Sequence, residues 1–135
     1  MAGGESRTEE FGCALCWPAS AEAAHAASRS LAADVELVDE SHFRVVVRRC
    51  RACAQQYVSV FAESIDWARG EDPQYWARLP VTAAEVVALA RRGSALDEAT
   101  LSGLGPGRRC LRHEHPAAEP PRSSWAAGMW VPPHD

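Results

Sequence analysis

Two Cys-x-x-Cys pairs, Cys13/Cys16 and Cys50/Cys53, carry the chemistry this sequence offers most plainly. A two-residue spacer lets both sulfurs of a pair turn toward one ion, and two such turns facing each other surround it with four thiolates. Zinc suits that set because it is borderline-soft and takes four ligands with no geometric preference from its d electrons. A rubredoxin-like iron centre would use the same four sulfurs. A dithiol redox role would instead favour a single pair at a helix start. The expectation is one structural zinc per chain, with iron as the alternative. A four-thiolate site is coordinatively closed and leaves no position for activating water. Neither pair is followed by glycine: Trp17 and Ala54 stand where knuckle backbone needs positive φ.

Other residue sets are more open. Cys110, His113 and His115 could reach a second ion, although no fourth ligand is evident and a basic tail with an incidental thiol explains them as well. Arg44, Arg48, Arg49 and Arg51 bracket the second cysteine pair. They could offset the negative charge of a zinc tetrathiolate, or touch phosphate or an acidic partner. Joined by Arg108, Arg109 and Arg112, they would make a nucleic-acid-binding surface whose affinity falls steeply with salt.

Aromatic side chains concentrate at Trp67, Tyr75 and Trp76 around Asp72, and Trp125 and Trp130 follow in the tail. Core filling is one use for them; a protein-binding surface is the other, since Trp, Tyr and Arg are enriched at interface hot spots. Glu63, Asp66, Glu71 and Asp72 could furnish an acid/base pair. No Ser-His-Asp set, phosphate-cradling Gly loop or His-Glu-x-x-His motif accompanies them. Turn capping and pairing with Arg69 and Arg78 account for these carboxylates, and His25 and His42 read as surface histidines. The chain is therefore expected to be non-catalytic.

The elements that must position the cysteines follow from pattern. Residues 1–10 form an acidic leader. Ser20 can cap an Ala-rich helix at about 20–33, inserted between the two pairs. It explains why their separation, residues 17–49, exceeds the roughly 15–20 residues of compact sites. Val35 and Leu37 fit a strand, Asp39-Glu40-Ser41 a turn, and Phe43, Val45 and Val47 one face of a second strand. A third strand spans about Gln56 to Ile65. Pro73 pushes Asp72 out of helical geometry, so residues 70–73 read as a turn. Thr82 and Glu85 form a capping box opening a helix that Gly93 can stop, and a weaker helix covers Ala95 to Leu101.

With 135 residues the chain is one small domain, or one domain plus a tail. Aromatic residues make only 7% of it and much of the apolar content is alanine, so the core must lean on a few large residues and a metal. The formal charge of −4 disfavours binding nucleic acid through overall charge. All 14 basic residues are Arg, with neither Lys nor Asn present, a composition typical of a GC-rich bacterial genome. No apolar run approaches the roughly 20 residues that span a membrane. The start lacks the basic-then-apolar order of a signal peptide. A cytoplasmic setting is expected, where paired cysteines favour metal over disulfides.

The two Cys-x-x-Cys pairs, with the strand entering the second, precede Tyr-Val-Ser-Val-Phe-Ala-Glu-Ser-Ile-Asp-Trp and Gly-Glu-Asp-Pro-Gln-Tyr-Trp. From about Cys13 to Ala88 this order resembles small uncharacterised bacterial zinc-ribbon proteins. The resemblance implies a ribbon with Cys13, Cys16, Cys50 and Cys53 as ligands, and no particular activity. The expected fold is small α+β: a zinc-ribbon-like antiparallel three-stranded sheet with one or two packed helices over residues 11–102, and an irregular Gly/Pro/Arg-rich tail over 103–135. The expected function is a non-catalytic, zinc-stabilised protein–protein interaction module (adaptor, regulatory subunit or immunity-type partner), with a nucleic-acid-binding ribbon as the alternative.

Overall fold

Alternating side chains, not helices, dominate the chain. The computed structural model describes residues 11–64 and 72–132. Its elements run α1 (Ala21–Ala26), β1 (Ala32–Glu40), β2 (Phe43–Arg49), β3 (Gln56–Glu63), β4 (Gln74–Val81), α2 (Ala83–Arg92), α3 (Glu98–Ser102), β5 (Arg109–His115) and β6 (Arg122–Ala127). The strands form one six-stranded antiparallel sheet in the order β1-β2-β3-β4-β5-β6.

This corrects the three-stranded ribbon. The fourth strand comes from the aromatic stretch that reads as a contact segment, and the expected irregular tail supplies the fifth and sixth. A three-stranded sheet would leave the outer edge of β3 unpaired; β4 pairs along its whole length, from Gln56↔Val81 to Glu63↔Gln74. Pro80 fits in this strand because β4 pairs with β5 only from Gln74 to Arg78, so the proline lies beyond that ladder.

Period-2 alternation gives the sheet two different faces. Phe43, Val45 and Val47 of β2, Val58, Val60 and Ala62 of β3, and Tyr75, Ala77, Leu79 and Val81 of β4 share one face and one core. Val86 and Leu89 of α2, Leu101 of α3, Met129 and Val131 belong to the same core. Each fully buried Val or Leu there contributes roughly 1.5–3 kcal/mol of transfer free energy. The capping box of α2 forms as read: Thr82 Oγ1 accepts from Glu85 N–H, and Glu85 Oε1 accepts from Thr82 N–H. Gly93 follows α2 with φ of 54°.

The opposite face is where α1 and the loop before it dock. The inserted helix is shorter than the expected 20–33. α1 ends at Ala26, a 3-10 turn covers Ala27–Ser30, and Ala32 and Ala33 join β1 opposite Arg49 and Arg48. Sheet pairing there overrides the helical preference of alanine. β1 carries two register shifts, which bend this edge strand. Among the described residues, no helix is long and apolar enough to cross a membrane.

Candidate metal centre and adjoining groove

Two loops bring the four cysteines together: one precedes α1, the other joins β2 to β3. Cys13 and Cys16 Sγ lie 3.8 Å apart, Cys13 and Cys50 Sγ 3.9 Å, and Cys16 and Cys53 Sγ 3.8 Å. All four sulfurs lie within 4.8 Å of one another. A regular tetrahedron with sulfur about 2.3 Å from a central zinc has edges of about 3.8 Å. A disulfide would need about 2.05 Å, and the five cysteines are free. The spacing fits one tetrahedrally held ion. Among the described residues this is the one group of His, Cys, Asp or Glu side chains so arranged.

The two loops are built alike. Trp17 N–H donates to Cys13 O at 2.8 Å, and Ala54 N–H donates to Cys50 O at 2.8 Å, closing each pair into a turn. Ala54 takes φ of 68°, so the second knuckle does adopt the left-handed backbone that usually calls for glycine. Gly12, at φ 74°, opens the first loop, and a Cβ there would collide with Tyr57 Oη. That space matters because Tyr57 Oη reaches Cys16 Sγ at 3.0 Å. Gln55 ties the loops to the sheet: its Oε1 accepts from Gly12 N–H, and its Nε2 donates to the carbonyls of Gln56 and Val81.

Arg78 of β4 is the centre's buried cation. It is 3% exposed and makes no ion pair with a described carboxylate. Its Nη2 donates to Cys16 O and Ala24 O, and its Nη1 to Ser28 Oγ. Its guanidinium also lies 5.3 Å from the Trp17 ring and 5.1 Å from the Tyr57 ring. One side chain thus joins the first knuckle, α1 and the 3-10 turn to the sheet. Sequence reasoning expected Arg78 to pair with acids; the missed signal is an arginine at an inward-facing strand position between Trp76 and Pro80.

The thiols are unequal. N–H groups of Cys16 and Leu15 draw Cys13 down to about 7. Burial raises Cys16 despite the Tyr57 hydroxyl. Cys53 is pushed up to about 12, first by desolvation of its sulfur and then by the three neighbouring sulfurs, although the residue as a whole is exposed. Cysteine binds a metal as thiolate, so a divalent cation held here would displace thiol protons.

Beside this centre, on the same sheet face, lies an open groove of about 800 Å³. Its wall is α1 and the 3-10 turn; its floor comes from β2, β3 and β4. His25 of α1 stacks on His113 of β5 with ring centroids 3.5 Å apart and planes 4° from parallel. Burial first, then the charges of His113, Arg78 and Arg29, hold His25 down to about 4, and burial lowers His113 too. His25 is therefore no ordinary surface histidine. His42 Nδ1 lies 3.0 Å from Oε1 of Glu63, which lines the groove.

The other anticipated residues scatter. Strand alternation puts Cys110 in the core, fully buried, while His113 and His115 belong to the opposite face, so these three are not brought to one ion. The same alternation separates Tyr75 from Trp76. Tyr75 is buried in the core and its hydroxyl donates to Trp130 O, whereas Trp76 lines the groove. Trp125 packs edge-on against Trp17 and donates to Ala19 O, and Trp130 is 46% exposed. Asp72 is half-buried just before β4; Trp67, Asp66, Arg69 and Glu71 lie outside the described residues. Of the arginines, Arg44 and Arg48 line the groove, Arg49 pairs with Asp34, and Arg51 is exposed in the knuckle. Arg108 grips Glu85 with both terminal nitrogens, Arg109 lies over the Trp125 ring, and Arg112 is near Trp130.

Fold and site together define a mostly β protein with a four-cysteine cluster able to hold a metal ion. No family model matches the chain, and no curated protein or solved structure does. Likeness to a zinc ribbon extends to the cysteine cluster and not to the sheet around it.

Proposed function

We propose that this chain is a non-catalytic, zinc-stabilised interaction module: the ion is structural, and the groove face beside it receives a protein partner. The observation that carries this reading is the division of one sheet face. The four-cysteine cluster, Trp17, Tyr57 and Arg78 fasten α1 over one half, and the other half stays open as a groove with Arg48, Phe61 and Trp76 on it. Four protein thiolates complete a zinc shell, so the ion's contribution is to folding energy. Arg48, Phe61 and Trp76 are half-buried, and aromatic and arginine side chains around a concavity are what hot spots use.

Elemental analysis with native mass spectrometry tests the metal half. One zinc per chain is expected, lost together with cooperative unfolding in Cys50→Ser; metal-free folded protein would overturn it. Affinity capture with wild type and Trp76→Leu tests the other half. A partner retained by the first and lost by the second supports it, and identical captures with both sink it.

A nucleic-acid-binding reading has one observation in its favour, the placement of Arg44 in one row with Phe61 and Trp76, a pairing of a cation and stacking rings that suits single strands. It is the weaker reading because Arg49 and Arg108 are engaged by Asp34 and Glu85, and no continuous basic stripe results.

A further inference from the structure

Strand register lays out the groove floor in rows. Phe61 is opposite Trp76 and Trp76 opposite His113, with ring centroids 5.3 Å apart in each case. This makes a rim of flat side chains across three strands. The neighbouring row is Val46, Ser59 and Arg78, and the row after it begins with Arg48 opposite Tyr57. Val46 and Ser59 are small, so the floor dips between the aromatic rim and Arg48. Above the dip stand Ser28 and Arg29 of the 3-10 turn.

The charges are one-sided. The described groove lining holds four arginines, Arg29, Arg44, Arg48 and Arg78, against one carboxylate, Glu63, in a chain of net charge −4. Glu63 is already taken by Gln74 Nε2 at 2.9 Å and His42 at 3.0 Å. Arg44 is held by Glu36 and Asp39. Arg29 and Arg48 make no ion pair with a described residue. Arg78, 3% exposed, has an Nε with no hydrogen-bond partner. Gathered cations repel one another unless an anion sits among them, and an orphaned buried donor is costly.

We propose that the groove binds a small organic anion carrying a flat ring. The anionic group sits over Val46 and Ser59 between Arg48 and Arg29, above Arg78, and the ring lies against Trp76 and Phe61. Carboxylate and phosphate both match a guanidinium fork. A ring set beside aromatic side chains adds the offset or edge-on contacts that such groups favour. The groove's volume is within the range of small-molecule sites. This assignment rests on the reading of the protein as a binding module and names what its groove recognises, whether free or borne on a partner.

The test uses full-length protein with its metal content measured in the same sample. Calorimetry and Trp fluorescence follow titration with phenyl phosphate, benzoate, inorganic phosphate and benzyl alcohol. At least one ring-bearing anion should bind, and the preferred one identifies the anionic group. Inorganic phosphate should bind about tenfold more weakly and the neutral alcohol not at all. Arg48→Gln and Trp76→Leu should each weaken binding by about tenfold, the effect of losing one good contact. Metal content should not change, and Arg112→Gln, on the opposite face, should bind as wild type. If Arg48→Gln does not fold, Arg29→Gln on the exposed turn makes the same measurement. Metallated, folded protein that binds no ring-bearing anion, or binds it equally well without Arg48 and Arg29, overturns the proposal. So does equal affinity for inorganic phosphate, or binding of oligonucleotides alone with a steep salt dependence. Failure of the module reading would show differently, as absent metal or as partner capture indifferent to Trp76.

Discussion

Tyr57 Oη stands 3.0 Å from Cys16 Sγ, so a residue of the third strand is bonded directly to a sulfur of the candidate metal centre. When Cys16 is a ligating thiolate it has no proton, and the phenol donates. Burial and this contact raise the Tyr57 hydroxyl, which keeps it protonated for that role. Tyr57→Phe keeps the ring between Trp17 and the sheet but removes the donor. Stability should fall by about 1–2 kcal/mol, and metal affinity by about 10–100-fold. Chelator competition and chemical denaturation check both, and unchanged metal affinity would show the contact to be incidental.

Arg78 makes three hydrogen bonds to the knuckle, α1 and the 3-10 turn, in directions only a planar fork satisfies. Lysine keeps the charge and loses the geometry. Arg78→Lys should cost on the order of 3 kcal/mol, because a buried cation is left incompletely bonded. A denaturation midpoint equal to wild type would show that charge alone matters there.

The two left-handed positions beside the cysteines give opposite expectations. Ala54 has φ of 68°, so Ala54→Gly relieves strain and should raise the melting temperature modestly, by less than about 1 kcal/mol in stability. At Gly12, φ is 74° and a Cβ would strike Tyr57 Oη. Gly12→Ala should lower stability and loosen the metal together. Differential scanning calorimetry with metal analysis distinguishes the two, and a destabilising Ala54→Gly would contradict the knuckle geometry.

Protonation of His25 should destabilise the fold. Its folded value lies near 4, below the ordinary 6.5, because burial and neighbouring positive charge disfavour the imidazolium. A depressed folded value means that the stabilisation is complete above about pH 6.5 and is lost as pH falls toward 4. An imidazole NMR titration should show His25 still neutral at about pH 5.5. His25→Phe, which keeps a ring on His113, should flatten that part of the acid-side loss. A midpoint at 6.5 or higher would mean the stacked pair is solvated.

What the sequence made legible was whatever repeats locally. Paired cysteines, the alternation of Phe43, Val45 and Val47, and Thr82 with Glu85 are patterns a few residues long, and each forms as read. β4 was hidden because one of its faces carries Trp76, Arg78 and Pro80, an aromatic, a cation and a residue without an N–H, which show no apolar alternation. All three lie on the face that α1 and the groove share, and Arg78 and Pro80 are buried. β5 was hidden because Cys110 and Leu111 are both buried, on opposite faces, so apolar alternation never appears. The groove was out of reach for a different reason: His25, Arg48, Phe61, Trp76 and His113 meet only through cross-strand register and the docking of α1.

A strand order that follows the chain also dictates how the molecule assembles. Every sheet pairing joins consecutive strands, and the longest connection is the one that carries α2 and α3 between β4 and β5. The first knuckle and α1 are the exception. Cys13 meets Cys50 across 37 residues, and α1 packs on β5 and β6 near the far end of the sequence. This segment rests on β3 and β4 through Tyr57 and Arg78 and on β5 and β6 through α1, so its contacts span most of the sequence. An ion shared by Cys13, Cys16, Cys50 and Cys53 would therefore tie the groove wall to the sheet, since it would join the loop before α1 to the loop between β2 and β3.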